Sequence, residues 1–225
     1  SFNLIDGVDG LATSLGILTM TVFGAYFFAI EYQAYALLAF SMAGSLVAFM
    51  IFNHHPARIF MGDSGSLMIG LINSILVIKF INVADAPFTA IQIPAAVSIG
   101  FAVLIVPLLD TLRVFSIRII NGRSPFTPDR NHVHHLLLDR GFSHTAVTFT
   151  CVTVNITFIF LAWWGRSLGP NYLLLILLVL AFSGLGLLYY GNARRRTLVV
   201  AREADGKAKL KAAPKVVALP KESPA

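Results

Sequence analysis

Charge is scarce in this sequence. Asp, Glu, Lys and Arg make up 12% of its 225 residues, against about 25% in a typical soluble domain. That shortfall excludes an ordinary soluble globule, whose surface is solvated by ionised side chains. Cysteine is scarcer still. Cys151 stands alone, inside an apolar run. A disulfide framework within the chain and a cysteine-based zinc site are therefore excluded, and Cys151 reads as a small apolar side chain. No His-Glu-x-x-His segment occurs, which removes the metalloprotease signature. No internal repeat stands out.

Apolar residues are abundant, at 56% of the chain. A helix needs about 20 mostly apolar residues to cross a bilayer, so a chain of this length has room for about six spans. Six segments qualify: residues 11–30, 33–52, 66–81, 95–120, 145–164 and 171–190. The expected fold class is all-α, a polytopic helical membrane protein, because every backbone polar group in lipid needs an internal partner. The fourth segment is longer than a span requires. It contains Pro107, which predicts a kink near its end, with the lipid-embedded part stopping near Asp110. Trp163, Trp164, Tyr172, Tyr189 and Tyr190 flank the last two spans, as interfacial aromatics do.

The formal charge of +6 reads as topology rather than as nucleic-acid binding. With six spans, the start of the chain, the second loop, the fourth loop and the tail share one side. Of the 17 Lys and Arg residues, only Lys79 and Arg166 fall on the other. Positive loops stay cytoplasmic, so the first side is expected to face the cytoplasm. The membrane domain is expected over residues 1–193. Residues 194–225, from Arg194-Arg195-Arg196 onward, are rich in Ala, Lys and Pro. They read as a basic, disordered tail that is solvated or rests on anionic headgroups.

Three polar motifs lie on that cytoplasmic side. The first is Asn3 with Asp6 and Asp9, interleaved with Gly7 and Gly10. In a helix, Asp6 and Asp9 would share a face. Two such carboxylates can orient a nucleotide, bind a metal or handle a proton, and glycines admit a ligand close to the backbone. Helix capping explains one Asp but not the whole pattern. The second motif runs from Asn53 to Ser66 and includes His54, His55 and Gly62-Asp63-Ser64-Gly65. A carboxylate at Asp63 can take one position on Mg²⁺, and the helix start behind it favours phosphate. The bland alternative is an N-cap. His54 and His55 read equally well as interfacial polar residues. Gly-Asp-Ser-Gly also occurs around protease serine nucleophiles, but no β-barrel context is available here. The third motif is Pro125-Phe126-Thr127-Pro128-Asp129-Arg130-Asn131-His132-Val133-His134-His135. Arg130 and these histidines suit diphosphate oxygens as well as a metal. Asp110 and Arg113, three apart, form an intrahelical ion pair or support the site from behind.

Together the segments NLIDGVDGLA, FMGDSGSLMIG and SPFTPDRNHVHHLLLDRG resemble the motifs of the polyprenyl-phosphate N-acetylhexosamine-1-phosphate transferase family, in the family order. The resemblance implies transfer of a sugar 1-phosphate from a UDP-N-acetylhexosamine to a polyprenyl phosphate such as undecaprenyl phosphate. UMP is released and synthesis of a cell-envelope glycan begins. It implies Mg²⁺, or Mn²⁺, with Asp63 as metal ligand. It assigns Asp6, Asp9 and Asp63 to catalysis, and Asn3, Arg130, His132, His134 and His135 to substrate binding. The His-Val-His-His form is closer to the branch using UDP-N-acetylglucosamine. The expected setting is the bacterial inner membrane with the site facing the cytoplasm, and a homodimer is compatible with it. The family also carries an Asp-Asp pair in an earlier loop, which this sequence lacks. The resemblance is thus to the C-terminal portion of such an enzyme, expected to be inactive alone. The rival readings are a transporter, which would place ionisable groups at mid-membrane, and a catalytically incomplete scaffold, supported by the missing pair.

Overall fold

The computed structural model describes residues 2–87, 89–120, 122, 124 and 133–189, with the side chains of His134 and His135 outside that description. The helices are α1 (Phe2–Ile5), α2 (Leu11–Ala29), α3 (Gln33–Asn53), α4 (Gly62–Ala84), α5 (Ala96–Val103), α6 (Ile105–Ile120), α7 (Val133–Leu138) and α8 (His144–Trp164), followed by α9 (Pro170–Tyr189). There is no strand among the described residues. The chain divides into two compact units, Ser1–Gly184 and Leu185–Ala225. The second is described only over residues 185–189, the end of α9. The expected boundary after residue 193 and the basic tail lie outside the described residues.

Helices α2, α3, α4, α8 and α9 are each long and apolar enough to cross a membrane, and the bent pair α5–α6 makes a sixth candidate. The expected all-α polytopic membrane fold is what forms. The span positions agree with the apolar runs to within a few residues. The largest difference is α4, which begins at Gly62 rather than Ser66 and so carries Asp63 in its first turn. Many large apolar side chains point outward, among them Phe28 (71% exposed), Ile51 (75%) and Phe149 (72%). In water such a surface would drive association; facing acyl chains, it is the solvated surface.

Helix α2 is the central one. Of its span 56% is buried, against 17–33% for the other four unbroken spans. Phe23 and Phe27 are fully inside, and Phe80 of α4 packs against Phe23 and edge-on against Tyr26. On the α3 side small residues bring the backbones close. A Cβ on Gly16 would lie 2.8 Å from Leu46, and one on Gly24 about 3 Å from the Phe40 ring, while Ala36, Ala39 and Ala43 of α3 are buried. Without a hydrophobic driving force between helices in lipid, this close contact supplies the attraction.

The fourth span breaks. α5 and α6 meet at Leu104 with an angle of 81°, three residues before Pro107, so the predicted kink occurs and is far sharper than a gentle bend. Pro107 has no N–H to give the carbonyl four residues back, and its ring crowds that carbonyl. The carbonyl is that of Val103, and Asn155 of α8 supplies the missing donor: its Nδ2 lies 3.0 Å from Val103 O. The same side chain accepts from the Val106 amide at 3.3 Å. Asn155 is fully buried. Beyond the break α6 is inside-out relative to a soluble helix. Asp110, Arg113 and Arg118 are buried, whereas Leu112, Ile119 and Ile120 are exposed.

At the end of the bundle away from the motifs, the two isolated basic residues rest on aromatic rings. Lys79 lies over Tyr32 and Tyr35, 5.1 and 5.2 Å from their centroids, and Arg166 over Trp163 at 4.6 Å. These contacts suit cations held at an interface.

Replacing Asn155 by Leu removes both partners of the broken backbone at once. Each unsatisfied buried group costs roughly 1–3 kcal/mol, so Asn155→Leu should lower the thermal unfolding midpoint in detergent well below that of an exposed control such as Thr157→Leu. Equal midpoints would show that the break is held by other contacts.

Candidate active site

Only the start of the first motif, with Asn3, is helical, in α1. Residues 6–10 form the turn between α1 and α2, so Asp6 and Asp9 do not share a helix face. Gly10 makes the turn possible. It closes the entry to α2 with φ +73°, a conformation that penalises any side chain, and its Cα side faces Met50 and the end of α3. The turn runs beside the second motif and meets it three times. At the start of the motif, Asn3 Oδ1 accepts from Ser66 Oγ at 3.1 Å. Asp6 comes next and feels the charge of Asp63. Finally, Asp9 Oδ2 receives His55 Nδ1 at 2.7 Å and the Ala57 amide at 3.3 Å.

The opposing loop is held in shape from within. Thr13 donates to Asn53 Oδ1 at 2.6 Å, and Asn53 Nδ2 donates to Ile59 O at 3.0 Å. Thr13 and Asn53 are both buried. Arg58 N and Ile59 N turn back onto Phe52 O, the last turn of α3. The loop is therefore fixed to α2 and α3 on both sides before it reaches Asp63.

A third segment arrives from α8. Ser143 caps that helix by accepting from the Ala146 amide, a standard N-cap geometry. The cap fixes His144 at the first helical position. His144 Nδ1 accepts a long hydrogen bond, 3.4 Å, from the Asp9 amide and lies 3.7 Å from Asp9 Oδ2. Thr148, one turn on, donates to Asp9 O at 3.1 Å. The His55 and His144 rings stack with centroids 4.9 Å apart. Neither His144 nor Thr148 is conspicuous in the sequence. The one local signal is Ser143-His144 immediately before an apolar run at the motif end.

The two carboxylates of the first motif differ electrically. Burial raises the Asp6 pKa, and the like charge of Asp63 raises it further, from 3.8 to about 6. For Asp9, burial also pushes upward, but the His55 hydrogen bond, the Ala57 amide and the charges of His144 and His55 outweigh it, and the net shift is downward. The signs for stability are opposite. The raised pKa of Asp6 favours the fold fully below 3.8, and that contribution is lost as pH rises through 6. The depressed pKa of Asp9 favours the fold above 3.8 and is lost in acid.

Asp6 and Asp63 are all-oxygen donors whose charges repel. That pair fits a hard divalent cation such as Mg²⁺, which takes carboxylate oxygens and keeps waters and which would relieve the repulsion. The Asp9 group has a different donor set, two imidazoles and one carboxylate.

Of the other expected site residues, Arg130 and His132 lie outside the described residues. His134 and His135 fall within α7, and their side chains lie outside the description. The start of α7 is pinned from within the bundle: Asp110 Oδ1 accepts from the Val133 amide at 2.7 Å. Asp110 thus has a role at this helix start beyond a local pair with Arg113. A glycine turn at Gly141, φ +86°, with Phe142 N bonded to Leu137 O, returns the chain to His144. The histidine segment and the first motif are therefore joined through α7 and the first turn of α8.

The chain is similar to known proteins. Residues 1–81 match the glycosyl transferase family 4 profile. An undecaprenyl-phosphate alpha-N-acetylglucosaminyl 1-phosphate transferase of Yersinia pestis is 29% identical over 212 residues, covering 90% of this chain and 54% of that protein. A decaprenyl-phosphate N-acetylglucosaminephosphotransferase of Mycolicibacterium smegmatis is 36% identical over 156 residues, 64% of this chain and 38% of that protein. The Escherichia coli K12 protein with the same name as the Yersinia one is 26% identical over 90% of this chain and 53% of its own length. The family match covers the first third of the chain, and the chain is similar to these transferases over 64–90% of its length. It spans about half the length of the curated relatives it matches, or less. The matched family region contains Asn3, Asp6, Asp9, His55 and Asp63.

Removing the Asp63 charge should release part of the strain on Asp6. In Asp63→Asn the Asp6 midpoint should fall from about 6 yet stay above 3.8, because burial, the larger cause, remains. Titration of the carboxyl infrared band in metal-free detergent solution reads this. An unmoved midpoint would mean that Asp63 does not act on Asp6.

Proposed function

We propose that the protein containing this chain transfers N-acetylglucosamine 1-phosphate from UDP-N-acetylglucosamine to a polyprenyl phosphate. An oxygen of the polyprenyl phosphate attacks the phosphorus attached to the sugar. The bond between the two phosphates of the nucleotide breaks, UMP leaves, and a lipid-linked diphosphate sugar remains. Such a product is the first intermediate of a cell-envelope glycan. The reaction is placed at the inner face of a bacterial plasma membrane, where nucleotide sugars are made; the excess of basic residues at the motif end of the chain supports that orientation.

The observation that carries this reading is the meeting of Asn3, Asp6 and Asp9 with the Asp63 loop at one end of a membrane bundle, in a chain whose relatives bear these activities in their names. Phosphoryl transfer asks a protein for positioning and charge neutralisation more than for covalent chemistry. Both substrates are anionic at the phosphates, and one is confined to the membrane surface, where this turn and loop lie. Asp63, with Asp6 beside it, would hold Mg²⁺, or Mn²⁺, and the ion when bound offsets charge on the diphosphate oxygens. Asp9 and Asn3 orient the nucleotide sugar, Asp9 being kept ionised by its histidine and amide partners. Arg130, His132, His134 and His135 bind the diphosphate and sugar from the segment that α7 and Asp110 anchor.

The test is a full-length preparation with UDP-N-acetylglucosamine, undecaprenyl phosphate and Mg²⁺, scored for UMP and for the lipid product. Asp63→Asn should reduce transfer by about 10²–10³-fold, the scale on which charge-stabilising groups act, while the melting temperature is kept. Near-normal turnover in that variant would remove the metal-binding role. Absence of lipid product with any UDP-N-acetylhexosamine would remove the transferase reading.

A further inference from the structure

The carboxylate of Asp9 is shared by two imidazoles from distant parts of the chain. The α1–α2 turn supplies Asp9, the α3–α4 loop supplies His55, and the first turn of α8 supplies His144. One ligand atom from each of the three lies within 4.8 Å of the other two, and His55 Nδ1 and His144 Nδ1 are 2.7 and 3.7 Å from Asp9 Oδ2. We propose that these three side chains form a transition-metal site of the Zn²⁺ class, separate from the oxygen pair Asp6 and Asp63.

The donor set decides the class of ion. Imidazole nitrogen binds Zn²⁺, Ni²⁺ and Cu²⁺ in preference to Mg²⁺ or Ca²⁺, which take oxygen. Two histidines, one carboxylate and a water make a four-coordinate zinc site with an open position. The water is available because the His55 and His144 side chains are 41% and 37% exposed, while Asp9 is held at 13%.

The distances are those of a site awaiting closure. Zinc bonds of about 2.0–2.2 Å put tetrahedral ligand atoms about 3.4 Å apart. His55 Nδ1, now 2.7 Å from the carboxylate, has to withdraw slightly as the shared proton leaves. His144 Nδ1, at 3.7 Å, has to approach slightly. The stacked rings, with 22° between their planes, have to open so that both lone pairs converge. Exposed side chains make such rotations without backbone change. The Asp9 amide donates to His144 Nδ1 at 3.4 Å, a long contact that a metal bond would replace. The Ala57 amide on the same carboxylate and the Thr148 hydroxyl on the Asp9 carbonyl keep the central ligand in place, as supporting hydrogen bonds do in metal sites.

Binding would tie three segments of the motif end together through one ion. It would also withdraw Asp9 from the nucleotide sugar, so Zn²⁺ should inhibit transfer in competition with the UDP-sugar. That consequence, unlike the site itself, rests on the transferase reading above.

The experiment uses full-length protein in detergent without Mg²⁺, titrated calorimetrically with Zn²⁺, with Co²⁺ as a visible-spectrum probe of coordination. Binding of one Zn²⁺ is expected, with a rise in melting temperature. His55→Gln and His144→Gln should each weaken it by at least about 100-fold, since even supporting residues cost 10–100-fold. The metal-free melting temperature of each variant is the baseline from which its Zn²⁺-induced rise is read, and that rise should be lost in both. A variant with His132, His134 and His135 all changed to Gln should retain the binding. No Zn²⁺ binding, binding indifferent to both His55 and His144, or binding lost only in the triple variant would overturn the proposal. An inactive preparation that still binds Zn²⁺ through His55 and His144 would leave the metal site standing and count against the transferase reading instead.

Discussion

In hydrocarbon there is no water to satisfy a peptide group, so each amide and carbonyl along the spans has to be paired by the chain itself. Everything else in this structure follows from that constraint. It makes the spans helical, it confines the turns to the ends of the bundle, and at the one place where a span is broken it requires a substitute donor and acceptor. Asn155 is that substitute, bonded to Val103 O and Val106 N at once. Because the break is stabilised, α6 can leave the direction of α5 by 81° and turn a charged face inward. Asp110 on that face then anchors the start of α7. A single amide in α8 thus lies behind the placement of the histidine segment.

The turns at the motif end are where backbone irregularity is permitted and where chemistry can be built. The first motif uses this freedom. Asn3 sits on α1 while the turn that Gly10 closes carries Asp6 and Asp9, so the three polar side chains spread along the second motif instead of stacking on one helix. Each meets a different partner, and the electrostatic results diverge. Asp6 holds its proton up to about pH 6, first because it is buried and second because Asp63 lies beside it. Asp9 beside two histidines and an amide is held ionised. Two acids of the same motif thereby acquire different chemistry from environment alone.

Much of the fold was legible from composition and run length. The six apolar segments map onto α2, α3, α4, α5–α6, α8 and α9 with shifts of a few residues, and Pro107 announced a break. Its angle was not legible, because proline states only that one hydrogen bond is lost; the bend depends on what α8 offers in return. The site was legible in part. Asn3, Asp6, Asp9 and Asp63 stand in motifs whose combined pattern helix capping does not explain, and the fold brings these residues to one end of the bundle. His144 was not legible. A histidine ahead of a span is an ordinary interfacial residue until the fold brings it to Asp9.

The sequence by itself determined the membrane class, the positions of the spans and the gathering of the first two polar motifs at one end. These are properties of single segments, set by hydropathy, length and the parity of crossings. Only the tertiary structure decided which motif residues meet. Asp9 contacts partners 46 and 135 residues away, and no local periodicity encodes such pairings. They arise from the close packing of α2 on α3 and the docking of α8 beside α2, which depend on the shapes of whole helices rather than on the pattern of any one of them.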